Sequence, residues 1–155
     1  MKIVKSGDVA WVDSMKQGNY GSRRKPLGGE KLSTSLWELP PGKKSFPLHS
    51  HHVTEEAMYV VSGSAKVRTL EGVTPISAGD FISFPPGGPA HQLINDGKET
   101  LIYLAMSATY GMDIVEYPDT DKVASVVGVA PNAKRFIFKK GDMAQYFDGD
   151  KDAKD

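Results

Sequence analysis

From Gly42 to Gly63 the chain reads GKKSFPLHSHHVTEEAMYVVSG. At its centre, His49-Ser50-His51 places two imidazoles at i and i+2. Residues so spaced leave the same face of an extended strand, close enough to share one metal ion. Glu56 follows five positions after His51, an odd step that sends it to the opposite face of a flat strand, so a turn or bulge through His52–Glu55 is required. His52 alternates away from the chelating side and is expected in solvent. Beyond the turn Pro85-Pro86-Gly87-Gly88-Pro89, His91 begins another alternating run and could complete the set. Three neutral imidazoles and one carboxylate suit a divalent first-row transition metal: iron, manganese, nickel, cobalt or zinc.

The rest of the composition narrows the chemistry in the same direction. With no cysteine in 155 residues, disulfides, thiolate nucleophiles, iron–sulfur clusters and thiolate zinc sites are excluded, and any metal must be held by nitrogen and oxygen. Nineteen basic residues balance nineteen acidic ones, so no net field draws the chain to phosphate backbones or anionic lipid, and neither nucleic acid nor membrane is an expected partner. The first fifteen residues, MKIVKSGDVAWVDSM, lack an apolar secretory core, which makes the cytoplasm the expected location.

Sixteen glycines and ten prolines fall mostly between short apolar or alternating runs, the spacing of a chain that reverses direction often. Strands are expected at Ser35–Leu39, Ala57–Val61, Ala65–Leu70, Phe81–Phe84, His91–Ile94 and Thr100–Met106, each rich in β-branched or aromatic residues. Separators such as Pro40-Pro41-Gly42, Ser62-Gly63, Ala78-Gly79-Asp80 and Asn95-Asp96-Gly97 supply the backbone angles of tight turns. Many short strands at this spacing predict a sandwich or barrel. The single domain, 1–155, divides into an N-terminal arm, 1–33, a barrel core, 34–108, and a C-terminal extension, 109–155. Within the arm, the run Ser22-Arg23-Arg24-Lys25 is expected to be a solvated loop, with an anion site as the alternative. Val123–Val129 and Phe136–Phe138 could be further strands, and the polar tail 148–155 is expected to be disordered. Ile3 to Ala10 is echoed by Ile137 to Ala144, with Gly-Asp and the alanine in register.

Two segments together resemble the cupin superfamily, small β-barrels marked by the motifs G-x5-H-x-H-x3/4-E-x6-G and G-x5-P-x-G-x2-H-x3-N. Gly42, His49, His51, Glu56 and Gly63 match the first with one additional residue before His49. Gly79, Pro86, Gly88, His91 and Asn95 match the second with one additional residue after Gly79. The resemblance covers roughly residues 34–108. Wider phrasing, including Leu39-Pro40-Pro41-Gly42 and Glu116-Tyr117-Pro118-Asp119, is similar to a group of uncharacterised bacterial single-domain cupins. It implies an all-β double-stranded β-helix, a jelly-roll barrel with short terminal extensions, and a mononuclear metal held by His49, His51, Glu56 and His91. Glu55 would fit the looser spacing, yet Gly63 stands six intervening residues after Glu56, which favours Glu56. Asn95 is read as a turn residue.

The resemblance gives no substrate. Alternation sends Met58, Val60 and Leu93 to the ligand side, so the pocket is expected to be apolar near the metal, and only Tyr59, Tyr103 and Gln92 offer acid–base chemistry. The leading reading is a metal-binding protein that takes a small molecule, acting as a metal-dependent oxygenase. The alternatives are an isomerase or epimerase of a sugar or sugar phosphate, and a non-catalytic binding module. A sugar-phosphate enzyme would want cations at the cavity, for which Lys66 and Arg68 are the candidates. Edge strands at the two ends need partners, which predicts a homodimer.

Overall fold

The computed structural model describes residues 1–108, 110–128 and 132–151. Among the described residues thirteen strands run in order: β1 (Val12–Gln17), β2 (Tyr20–Gly28), β3 (Leu32–Leu39), β4 (Ser50–His51), β5 (Glu55–Ser62), β6 (Ser64–Arg68), β7 (Val73–Ser77), β8 (Phe81–Phe84), β9 (Gln92–Ile94), β10 (Leu101–Ala108), β11 (Met112–Tyr117), β12 (Lys122–Val127) and β13 (Lys134–Lys139). Helix among the described residues is limited to one-turn 3-10 segments, and none is long and apolar enough to cross a membrane. The protein is an all-β double-stranded β-helix barrel.

Three antiparallel groups build it, in the orders β1-β2-β3-β10-β5-β8, β13-β12-β11-β4 and β7-β6-β9. β10 is the hub, paired on one side with β3 (Leu101↔Leu39 to Ala108↔Leu32) and on the other with β5 (Tyr103↔Val60 to Ala108↔Glu55). These registers put three inward stripes side by side, and each grades from bulky apolar to small or polar. Leu39, Trp37, Ser35 and Ser33 lie beside Leu101, Tyr103, Ala105 and Ser107, which lie beside Val60, Met58 and Glu56. The bulky end packs with Ala65, Val67, Ile76, Phe84 and Leu93 into one core. Each fully buried aliphatic side chain there contributes on the order of 2 kcal/mol from loss of contact with water. The small and polar end cannot fill the barrel, and a cavity of about 390 Å³ remains.

Turn chemistry follows the sequence closely. Gly63 joins β5 to β6 at φ 82°, where a Cβ would fall 2.8 Å from the Thr100 carbonyl oxygen, so only glycine fits without displacement. Asn95 is fully buried and serves as the expected turn residue: its Nδ2 donates to the Leu39 and Glu99 carbonyls, and its Oδ1 accepts from the Gly97 N–H.

The loop expected at Ser22–Lys25 is corrected. That run lies in β2, held between β1 and β3, with Ser22 buried and Arg23 paired to Glu38. β2 gains strand geometry from its neighbours' ladders, which outweigh the low intrinsic preference of its glycine, arginine and proline content. β12 covers most of the expected Val123–Val129, whose last residue lies outside the described residues, as do residues 152–155 of the expected disordered tail. The echo of Ile3–Ala10 in Ile137–Ala144 has a local cause: Ser6–Asp8 and Lys140–Asp142 each form one 3-10 turn, closed by Val9 N–H to Ser6 O and by Met143 N–H to Lys140 O.

Candidate metal centre

His51 sits in β4, opposite Val115 of β11, and His49 just before it forms an isolated antiparallel bridge with His91. Glu56 lies in β5 between Phe84 of β8 and Ser107 of β10. The turn that the odd spacing demanded occupies residues 52–54. It is fixed by the His52 N–H donating to the Ile114 carbonyl and the Val53 N–H donating to Asp113 Oδ1, both at 2.9 Å.

Three imidazoles converge on one carboxylate oxygen. Glu56 Oε2 lies 4.0 Å from His49 Nε2, 3.5 Å from His51 Nε2 and 3.1 Å from His91 Nε2. His49, His51 and Glu56 form the tight group, their ligand atoms all within 4.8 Å of one another, and His91 joins through Glu56. Ser107 Oγ donates to the other oxygen, Oε1, at 3.0 Å, which turns Oε2 toward the rings. Phe84 stacks on His91 with centroids 3.7 Å apart. His52 points elsewhere, 2.9 Å from Glu116, and Glu55 is exposed.

The far nitrogens settle the tautomers of His49 and His51. His49 Nδ1 lies 2.9 Å from the Pro47 carbonyl, and a carbonyl only accepts, so Nδ1 carries the proton and Nε2 presents a lone pair. His51 Nδ1 donates in the same way to Asp113 Oδ2 at 2.5 Å, and His91 Nδ1 faces the Pro89 carbonyl at 3.4 Å. Burial, with His91 nearby, lowers the His49 pKa to about 4, so the ring is neutral at pH 7. Burial opposes ionisation of Glu56, but the hydrogen bond with His91 and the surrounding imidazoles overcome it and hold the carboxyl at about 2. Burial likewise opposes ionisation of Asp113, and its bonds to His51, Thr54 and Val53 bring its pKa below the usual value. His49 and His51 direct Nε2 lone pairs toward the ionised carboxylate, and His91 Nε2 donates to it at 3.1 Å where a cation could take that proton's place. These residues therefore fit a divalent metal, with the outer nitrogens oriented by carbonyls and a carboxylate.

The cavity wall is mostly apolar, as the alternation implied: Met58, Ala105, Trp37 and Phe46 line it, together with Ser33, Ser35, Ser45, Ser107, Tyr103 and Tyr117. Val60 and Leu93 lie deeper, in the packed core, because the cavity occupies only the small-residue end of the stripes. Of the three acid–base candidates only Tyr103 reaches the cavity. Tyr59 is on the outer face, and Gln92 is buried with its Nε2 donating to the Phe46 carbonyl. Lys66 and Arg68 are not the cavity's cations, since they pair with Asp96 and Asp119 outside it. Arg24, Lys122 and Arg135 line it instead.

Sequence reasoning missed Lys122, Arg135 and Asp113, and placed Arg24 in a run read as a solvated loop ahead of an anion site. The available signal was alternation in Met112–Tyr117 and Lys122–Val127: the inward rows Asp113↔Val126↔Arg135 and Tyr117↔Lys122 follow from pairing β11, β12 and β13.

A family model described as "Cupin domain" matches residues 35–107. Among solved structures, one from Acidithiobacillus ferrooxidans, described provisionally as a sugar phosphate isomerase, is 31% identical with a TM-score of 0.74, over 82% of this chain and 81% of that one. A sugar phosphate isomerase of a cupin superfamily from Silicibacter pomeroyi is 20% identical with a TM-score of 0.78, over 95% and 98%. A polyketide cyclase from Streptomyces resistomycificus is 23% identical with a TM-score of 0.60, over 69% and 78%. No match is found among curated proteins.

Proposed function

The chain belongs to the cupin superfamily, and from that premise we propose that it is a metal-dependent enzyme acting on a small, oxygen-rich molecule. His49, His51, Glu56 and His91 would hold one divalent first-row metal. The convergence of three Nε2 atoms on Glu56 Oε2 is the observation that carries this reading. When bound, the metal supplies Lewis-acid polarisation of a coordinated carbonyl or hydroxyl oxygen.

Isomerisation of a hydroxycarbonyl compound is the reaction class the wall supports best. Ser33 and Ser35 offer hydroxyls to a polyol chain, while Trp37 and Phe46 exclude water from its other side. Tyr103 is fully buried, and burial followed by the charge of Glu56 pushes its pKa up, so its hydroxyl keeps its proton and serves as a hydrogen-bond donor. The description of the Acidithiobacillus protein points the same way. Met58 and Ala105, apolar and close to the ligand set, favour a second reading, a metal-dependent oxygenase.

Elemental analysis of protein purified without added metal tests the site. About one equivalent of one first-row metal is expected in the parent and in His52→Ala. His51→Ala and His91→Ala should each lose most of it while keeping the barrel's circular dichroism. Equal metal in all four proteins would remove the chemistry from both enzyme readings. Reaction class is then read by incubating the metal-loaded protein with aldose and ketose substrates while following dioxygen. Interconversion at constant dioxygen supports the isomerase, and substrate-dependent oxygen uptake overturns it in favour of the oxygenase.

A further inference from the structure

The cavity holds a single carboxylate, Glu56, and three cations, Arg24, Lys122 and Arg135. None of the three has a carboxylate partner among the described residues. Arg24 donates only to Ser35 Oγ, at 3.4 Å, and its guanidinium stands 5.7 Å from the Trp37 ring. Lys122 has only the Tyr117 ring, 5.9 Å from its Nζ. The adjacent Arg23, on the outer face of the same strand, is by contrast closed off by Glu38. Arg24 and Lys122 are half-buried, so each forgoes part of its hydration with no anion to replace it.

Both cations lead by ring contacts to the ligand set. Beneath Arg24, Trp37 meets Phe46 at 5.3 Å between centroids, and Phe46 meets His49 at 6.2 Å. Beneath Lys122, Tyr117 stacks on His49 at 6.3 Å. A small molecule with one end at Glu56 and the imidazoles lies in the same cavity that Arg24 and Lys122 line, with Arg135 contributed by the edge strand β13.

We propose that Arg24 and Lys122, aided by Arg135, form an anion grip that recognises a phosphate monoester as the substrate of this site. This inference rests on reading the cavity as the substrate site of a metal-dependent enzyme. A forked guanidinium with free N–H donors and a second point charge match a dianionic, multi-oxygen group better than a single carboxylate. All three cations lie outside residues 35–107, the segment matched by the family model. The shared barrel supplies the metal ligands, and the terminal extensions select the substrate.

Calorimetric titration with inorganic phosphate tests the grip, on protein as purified and after chelator treatment, with metal content measured on every sample. Binding is expected in both states. Arg24→Gln and Lys122→Gln should each weaken it by about tenfold, as loss of a charge-assisted contact implies. Arg24→Lys should retain part of the affinity, which separates loss of charge from loss of fold, and Lys66→Gln should match the parent. Metal content should be unchanged in all four variants. The proposal is overturned if both glutamine variants bind phosphate like the parent, if chelation abolishes binding, or if chloride at equal ionic strength competes as well as phosphate. Phosphate binding that depends on Arg24 and Lys122, in a protein that holds no metal as purified and takes up none when first-row metals are added, would sink the enzyme reading and leave the grip standing.

Discussion

Asp113 never touches the shared centre, yet it fixes the ligand that does. Its Oδ2 receives the His51 Nδ1 proton at 2.5 Å while Oδ1 receives the Val53 N–H, so one side chain sets the ring's tautomer and the turn that brings Glu56 into place. Asp113→Asn keeps the shape but loses the charge, and partners of this kind typically contribute tenfold to a hundredfold in metal affinity. Competition with a chromophoric chelator should show a weakening in that range with the barrel intact; parent-like retention would mean that Asp113 serves the turn alone. Acid stability offers a second residue-level test, on metal-free protein. His49 stays neutral in the fold down to about 4, while an unfolded histidine takes up its proton near 6.5. The unfolded state therefore binds more protons between those values, and stability present above pH 6.5 is lost as pH falls toward 4. Glu56, held at about 2 against an ordinary 4.5, adds a further loss at lower pH. Thermal midpoints should begin to fall just below pH 6.5, and His49→Asn should flatten the upper part of that fall.

Among the elements, the turn between β5 and β6 is tightly constrained by backbone geometry. Gly63→Ala would place a methyl group against the Thr100 carbonyl at positive φ, a strain of about 1–3 kcal/mol. The thermal midpoint should drop by roughly 2–4 °C per kcal/mol, with metal content unchanged because the turn lies at the packed end of the barrel. Unchanged stability would show that the turn relaxes freely. The same elements show what a sequence displays. Phe81–Phe84 appears with the expected bounds, and β3, β5, β6, β9 and β10 lie within a few residues of theirs, because β-branched and aromatic runs there end at glycine or proline. β1, β2 and β7 are not legible, and β11 shows only the alternation of Met112–Tyr117. β2 is polar and glycine-rich, β7 carries Pro75 and survives as an edge strand, and β4 is two residues long, so each depends on a neighbour's ladder. The ligand types His49, His51, Glu56 and His91 are visible in two motifs. Asp113 and the cations are not, since their place is set by pairings among β11, β12 and β13 and between β2 and β3.

Those pairings give the molecule two very different sheet faces around β12. The inward face carries Val115, Lys122, Arg135 and Ile137 to the cavity. The outward face aligns Ile114↔Ser125↔Phe136 and Glu116↔Val123↔Phe138, with Met112↔Val127 beside them. Phe136 and Phe138 are each 50% exposed and Met112 61%, so apolar side chains from three adjacent strands form one open patch, bounded by the edge of β13 that is unpaired among the described residues. Contiguous patches of this kind mark association surfaces, and an edge strand invites a second ladder. A second copy of this chain is the expected occupant: a two-fold axis at the edge matches the patch with itself, and equal numbers of acidic and basic residues leave no net repulsion between copies. Sedimentation at high micromolar concentration should therefore give a homodimer. The double substitution Phe136→Asp with Phe138→Asp places like charges across that axis and should give a monomer with the parent's β-rich circular dichroism. Arg135 and Ile137 stand on the opposite face of the same strand, so dissociation should also weaken phosphate binding where β13 loosens, while leaving metal bound by β4, β5 and the segment before β9. A parent that sediments as a monomer would show that the patch is left open, and a double variant that stays dimeric would place the interface elsewhere.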